Sequence, residues 1–401
     1  MKRWARRALG DLCVTIQDGA HESPKRQFKE AAAGRFLYIT SKNIRNNHID
    51  LSDVSYVDAD FHSRIYPRCT PALGDVLLTK DGANTGNVAL NSIAEPFSLL
   101  SSVCLIKTRH DALLPAFLMY YIQSPDGFES ITGKMTGAAI KRIVLRQIKL
   151  AMIPAQPVDE QRRIVAILDE AFEGIATAKT NAKKNLENAR AVFENRLQAI
   201  LSSNKWKQVH LGDLCRRVEY GSSAKSKPTG RVPVLRMGNI QDGRLDWTDL
   251  VYTDDKAEIS KYLLQPNDVL FNRTNSPELV GKTALYRGER PAVFAGYLIR
   301  IHRREELLDA DYLNYFLNSQ IAKDHGKTVV SSSVHQANIN GSKLMEYPIP
   351  APRMAEQKAI VAELGSLRTE TERLSGIYQR KLAAMDELKK SLLHQAFAGQ
   401  L

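Results

Sequence analysis

The chain repeats itself, and no other feature constrains its fold as much. Trp4, four residues, then Leu9, Gly10, Asp11, Leu12 and Cys13 returns 202 positions later as Trp206, four residues, then Leu211, Gly212, Asp213, Leu214 and Cys215. Gly74-Asp75-Val76-Leu77 is answered by Asn267-Asp268-Val269-Leu270 at an offset of 193, and Gly86 by Gly281 at 195. Ile153-Pro154 with Glu160-Gln161 recurs as Ile349-Pro350 with Glu356-Gln357 at 196. Small insertions explain the drift. In 401 residues this means two copies of one plan, each long enough to bury a core without disulfide or metal.

After each Glu-Gln pair proline disappears and Ala, Glu, Lys, Arg, Leu and Asn dominate, from about 159 to 201 and from about 355 to 398, which predicts two long helices. In the first, Ile164, Leu168, Ala171, Ile175, Ala178, Ala182, Leu186 and Ala189 recur at about the 3.6-residue α-helical period. Adding 196 gives Ile360, Leu364, Leu367, Thr371, Leu374, Tyr378, Leu382 and Met385, all but one apolar or aromatic. A stripe of about forty residues runs roughly 60 Å, longer than a small domain, so the two helices are expected to pack on each other, antiparallel. Number for number, Ala171, Ala178, Ala182 and Ala189 face Leu367, Leu374, Tyr378 and Met385, a small-against-large match that suits close packing.

Each helix follows about 150 residues of short apolar strands broken by turn residues, as in Asp75–Thr79, Asn87–Leu90 and Ser102–Ile106. A short helix is expected at Ala116–Gln123 and again at Asp311–Asn318. The fold class is therefore mixed α/β: two tandem α/β domains separated by two long antiparallel helices that form a coiled-coil-like spacer. The expected boundaries are a first domain at 1–158, a central helix at 159–204, a second domain at 205–354 and a distal helix at 355–401.

With 56 Lys and Arg against 44 Asp and Glu the net charge is +12, which favours an anionic partner, either nucleic acid or an acidic membrane surface. No apolar run of 18 residues occurs, so a membrane-spanning helix is not expected and the charge points to nucleic acid. Met1 to Arg7 carries positive residues without the apolar stretch of a signal peptide, so secretion is not expected either. Cys13, Cys69, Cys104 and Cys215 form no CxxC pair and have no histidines at zinc-ligand spacing, which fits a reducing cytoplasm and no metal site.

The machinery of a DNA-modifying enzyme is incomplete throughout. There is no GxGxxG loop and no Asn-Pro-Pro-Tyr-type tetrapeptide, so no seat for a cofactor is expected. Ser276 to Thr283 ends in Gly281-Lys282-Thr283 but lacks the first glycine of a phosphate loop, His21-Glu22 lacks a second histidine, and Glu387-Leu388-Lys389 reads as solvated charge on a helix. What the domains do offer is polar, basic, glycine-interrupted loops whose Arg and Lys pair best with guanine and whose Asn and Gln pair best with adenine. In the first copy they run Asp18–Lys29, Thr40–Asn46, Lys80–Asn84 and Lys134–Arg142, with Lys25, Arg26, Lys42, Asn43, Lys80, Asn84, Lys134, Lys141 and Arg142 as candidate DNA contacts. In the second they run Tyr220–Lys227, Arg236–Asn239, Arg273–Asn275 and Lys327–Asn338, with Lys225, Lys227, Arg236, Asn239, Arg273, Asn275, Lys327, His335, Gln336 and Asn338. The frames match while the loops differ, which implies two different targets presented by one scaffold.

The Trp-x4-Leu-Gly-Asp opening, the Gly74–Leu77 strand, the hinge from Ile153-Pro154 to Glu160-Gln161 with its Ile164–Leu168 continuation, and their second copies resemble the specificity subunit of type I restriction-modification systems over nearly the whole chain. The resemblance implies that each domain is a target-recognition domain reading one half of a split double-stranded DNA site, and that the helices form an antiparallel spacer. It also implies that two adenine methyltransferase subunits dock on the chain, that restriction subunits join them, and that the chain itself holds neither S-adenosylmethionine nor ATP. A module of a methyltransferase-only or fused nuclease-methyltransferase system shares the plan, and a non-DNA-binding helical scaffold remains a further reading. The second copy departs from the pattern with Asn267 for Gly74 and with Ala355 where Asp159 is placed to cap the helix.

Overall fold

The computed structural model describes residues 4–133, 142–333 and 336–401. It divides into two compact units, Met1–Lys183 with Arg380–Leu401 and Lys184–Gln379, so each unit takes one domain and part of both long helices.

In the first unit a four-stranded antiparallel sheet has the spatial order Cys13–Asp18, Val103–Thr108, Val76–Thr79, Val88–Leu90. Alternate residues of a strand point to opposite faces, and here both faces are covered. Val76, Leu78, Cys104 and Ile106 pack with Phe117 and Tyr121 of the helix Pro115–Gln123. Leu77, Val103 and Leu105 pack on the other side with Ile39, Phe97 and Leu99. Double coverage is why these segments read as unbroken apolar runs. The outer layer is a three-stranded sheet, Ser55–Asp58, Arg35–Ile39, Ser98–Leu99, whose last two strands are parallel.

The second unit repeats both layers: Cys215–Tyr220, Leu298–Arg303, Val269–Asn272, Thr283–Leu285, then Val251–Thr253, Val232–Leu235, Val293–Phe294. Val269 and Phe271 join Tyr312 and Phe316 of the helix Ala310–Asn318, whereas Leu270 and Leu298 join Leu235 and Phe294. The exchange of Gly74 for Asn267 leaves the turn unchanged: the two residues have φ of 84° and 74°, and asparagine is among the few residues that enter this left-handed region. In both copies the following aspartate closes the turn, Asp75 accepting from Ala72 N at 2.7 Å and Asp268 from Gln265 N at 2.8 Å.

The central helix is Val158–Leu201 and the distal helix Met354–Ala398. Because the first already includes Val158, Asp159 lies inside its first turn and pairs with Arg162 at 2.7 Å; it favours the helix dipole rather than capping the end. Within the first unit the helices run antiparallel: Phe172 lies under Lys389, and Lys179 pairs with Asp386 at 2.5 Å. Within the second, Arg368 lies over Phe193 and Arg196 pairs with Glu363 at 2.5 Å, again with one number rising as the other falls. This corrects the number-for-number match of Ala171 with Leu367 and its companions. Constant offset describes a parallel pair, and the antiparallel order instead brings the region of Ala171 to that of Lys389. Ile164 and Leu168 are buried with Leu393, Ala396 and Phe397, and Ile360 and Leu364 with Leu197, Ile200 and Leu201, in each case joined to that unit's domain core. Ile175 is also buried, while Leu186, Leu367, Leu374, Tyr378 and Leu382 are half-buried.

Candidate nucleic-acid interface

In the first domain Cys13–Asp18 and Val76–Thr79 both run antiparallel to Val103–Thr108, so their carboxyl ends emerge at one edge. The parallel pair Arg35–Ile39 and Ser98–Leu99 ends there too, since Ala20 bridges Leu100 and Lys80 N donates to Ser102 O at 2.9 Å. Gly19 permits the crowding: a Cβ there would stand 2.2 Å from the Leu99 carbonyl oxygen. Stretches far apart in sequence thus meet in one rim. Asn84 Nδ2 donates to Ser41 O at 3.3 Å, Ser41 N donates to Ser102 Oγ at 3.1 Å, and Arg142 Nε lies 3.1 Å from Asp81 Oδ1. Asp18, 4% exposed, sits at the centre with Arg68 Nη2 at 2.7 Å, His21 Nε2 at 3.1 Å and Lys80 Nζ at 3.5 Å. Burial by itself raises the Asp18 carboxyl, but the Arg68 hydrogen bond and the charges of Lys80, His21 and Arg68 outweigh it and hold it below the ordinary range.

The second domain builds the same rim from Cys215–Tyr220, Val232–Leu235, Val269–Asn272 and Val293–Phe294. Ser222 bridges Ala295, Ala295 N donates to Leu235 O at 2.9 Å, and Arg273 N donates to Tyr297 O at 3.0 Å. Gly221 repeats Gly19, with a Cβ there only 2.4 Å from Phe294 O. The occupants differ. Tyr220 stands at the end of the first strand where Asp18 stood, Arg273 replaces Lys80, and Tyr297 replaces Ser102 as backbone acceptor. The buried ion pair moves back into the sheet, where Arg300 meets Glu219 at 2.6 Å and Asp268 at 3.0 Å, with His302 2.9 Å from Glu219.

Three expected contact residues are corrected by their burial. Asn43 and Asn239, 1% and 2% exposed, each tie their own loop. Asn43 accepts from Thr40 N and donates to the Asp50 and Asp53 carbonyls; Asn239 accepts from Arg236 N and donates to those of Asp246 and Asp249. Lys80, 1% exposed, is held between Asp18 and Asp81. Lys327, expected to open a loop, lies instead on the helix Gln320–Val329, which Ser319 caps, and pairs with Asp324 at 2.8 Å. Lys25, Arg26 and Lys225 are exposed with no ion-pair partner among the described residues. Lys42, Lys227 and Arg236 pair with Asp53, Asp254 and Asp249 at 2.9, 3.4 and 2.9 Å. Such exposed pairs are screened by water and weak enough for phosphate to displace the carboxylate. Asn84, Arg142, Arg273, Asn275 and Asn338 lie at the rims, Asn338 Nδ2 donating to Thr274 Oγ1 at 3.0 Å. Gln336 is on the strand Gln336–Asn338; Lys134, Lys141 and His335 lie outside the described residues.

Residues 1–188 and 203–379 match the family described as the type I restriction modification DNA specificity domain. The chain belongs to that family. Among its relatives is the protein described as the MjaX type I restriction enzyme specificity subunit of Methanocaldococcus jannaschii, 28% identical over 196 residues; the match spans about half of each protein, 48% of this chain and 45% of that one. The type I restriction enzyme EcoKI specificity subunit of Escherichia coli is 22% identical over 90% of this chain and 82% of its own length. Of solved structures, a chain from work on complex assembly and conformational transition of the type I R-M system aligns with a TM-score of 0.77 at 18% identity, covering 100% of this chain and 99% of that one. The HsdS subunit from Thermoanaerobacter tengcongensis aligns with a TM-score of 0.62 at 19% identity, covering 99% and 97%.

Within this specificity-domain plan, sequence reasoning missed what the Glu-Gln pair does. Gln161 is 0% exposed: its Oε1 accepts from Leu114 N at 2.8 Å, and its Nε2 donates to Ala112 O and Gln156 O, both at 2.9 Å. Gln357 repeats all three bonds with Asp309 N, Leu307 O and Pro352 O. Each glutamine fastens the start of a long helix to the loop that precedes a domain helix. The signal was present as an identity at constant offset, yet a glutamine between charged residues reads as surface until its partners are seen.

Proposed function

We propose that the chain is the sequence-specific DNA-binding subunit of a type I restriction-modification complex. Residues 1–158 and 205–354 are its target-recognition domains, each reading one half of a bipartite duplex site. The two long helices set the gap between the halves and dock two adenine methyltransferase subunits, to which restriction and translocase subunits add. Methyl transfer and cleavage belong to those partners, so the chain is itself non-catalytic, and the work is done in the cytoplasm, where the DNA is. One observation carries the reading: the same rim is built twice from matching backbone, and its side-chain occupants differ between the copies. A repeated enzyme has no use for that difference, whereas a reader of two unlike half-sites requires it. The test is base-resolved methylation mapping of cells that carry and lack the gene, with duplex binding by the purified complex at low salt. A two-part methylated motif that depends on the gene is the expected result. Failure to bind DNA with the methyltransferase partners present would instead favour a scaffold.

A further inference from the structure

The two rims differ most at their centres. In the first domain Asp18 and Lys80 have side chains only 5% and 2% exposed, and Arg68, His21 and Asp81 complete their pairing. Each of the two buried charges there has an opposite charge beside it. In the second domain the guanidinium of Arg273 lies 4.9 Å over the ring of Tyr220, and no carboxylate pairs with it among the described residues. Its backbone is pinned on both sides, N donating to Tyr297 O at 3.0 Å and O accepting from Ile339 N at 2.9 Å. Nη1 donates to Gly296 O at 3.2 Å, and Nη2 has no partner among the described residues. Tyr220 is held in turn, its hydroxyl accepting from Gly341 N at 2.8 Å. Gly341 makes room for it, since a Cβ there would stand 3.1 Å from that hydroxyl and 2.7 Å from Val218 Cγ2. At the matching start of the first-copy helix stands Leu145. Tyr220 and Tyr297 flank the site and are 43% and 49% exposed.

We propose that Arg273 is a specificity-determining residue of the second recognition domain, reading a guanine in the second half-site, and that Tyr220 is its positioning residue. This rests on the DNA-reading function proposed above. With Nε buried, one face covered by a ring and one Nη1 proton on a carbonyl, the planar fork keeps Nη2 and the second Nη1 proton for two acceptors side by side, the pattern guanine O6 and N7 present in the major groove. A charge whose only role is to attract phosphate needs no such alignment.

The test uses the chain in complex with its methyltransferase partners and maps the methylated motif. Arg273→Gln is expected to lower selectivity for one guanine in the second half-site by roughly 5- to 150-fold, the range of one bidentate pair, with the first half-site and the gap unchanged. Arg273→Lys keeps the charge and loses the fork, and should show a smaller loss at the same base. Tyr220→Leu should relax that position too, and Tyr220→Phe, which keeps the ring but loses the hydroxyl that Gly341 N holds, should relax it less. An unchanged motif in Arg273→Gln overturns the proposal. So does a uniform loss of affinity with a salt slope lower by about one, the mark of a phosphate contact, or a loss that falls on both half-sites. A wild-type complex that yields no two-part motif refutes the underlying function instead.

Discussion

Replacing Gln161 with leucine, which nearly conserves volume, removes only the amide. Leu114 N–H then loses its acceptor, and the Ala112 and Gln156 carbonyls lose their donor, all around a side chain that is 0% exposed. An unpaired buried polar group costs about 1–3 kcal/mol, so three such groups at the low end give roughly 3 kcal/mol. In a unit of this size each kcal/mol moves the midpoint by about 2–4 °C, which predicts that the first unit unfolds about 6–12 °C earlier. Calorimetry of the complete chain should show that fall in one transition, and the Leu114 amide should lose hydrogen-exchange protection. Gln357→Leu should do the same to the second unit through Asp309. Gln161→Glu adds a sign: the carboxylate keeps an acceptor for Leu114 but faces two carbonyls without water, so its folded-state pKa lies above the unfolded value. Its penalty is then full at neutral pH and relieved as pH falls through the raised value. A midpoint shift under 2 °C with both amides still protected would refute the fastening.

Asp18→Asn strips the central partner from Lys80 and Arg68, and removing one member of a buried pair costs roughly 3–5 kcal/mol, read as earlier unfolding of the first unit. Because the wild-type carboxyl is held low, its contribution is complete at neutral pH and disappears as pH falls below about 3.9 toward the folded value. Lys25→Ala with Arg26→Ala should lower the salt slope of DNA binding by about two without changing the motif; an unchanged slope would place the phosphate contacts elsewhere. Exchanging residues 1–155 for the first domain of another family member should change one half-site only, and a change in both would deny independent reading. Four residues added to the central helix near Lys183 to Asn188 lengthen it by roughly 6 Å, a little over one turn, and the mapped gap should grow by one or two base pairs. A fixed gap with retained activity would remove the helix as the ruler.

The elements set by periodicity were legible from the sequence, and those set by partners were not. The 3.6-residue stripe led to helices observed at Val158–Leu201 and Met354–Ala398, and unbroken apolar runs led to Val76–Thr79 and Val103–Thr108. The pairing partners within the helix stripes were not legible, because offset describes descent from a repeat and not contact. Asn43, Asn239 and Lys80 were misplaced for a shared reason: polar residues between strands read as surface, and only the fold supplies the carbonyls and carboxylates that bury them.

The rims show why a repeat this clear at its frame is so faint at its loops. Their contacts run through main chain: Lys80 N to Ser102 O in one copy is Arg273 N to Tyr297 O in the other, and the bridge of Ala20 to Leu100 is that of Ser222 to Ala295. Such bonds are indifferent to the side chain they carry. What they demand of the sequence is glycine where backbone meets backbone, and Gly19 and Gly221 meet that demand in both copies. Everything else at the edge is free to change. Asp18 with Lys80 and Tyr220 with Arg273 are two such solutions, the first sealed by its own pairing and the second leaving guanidinium donors open. A frame held by main chain and occupied by exchangeable side chains lets one scaffold acquire a second DNA target without refolding.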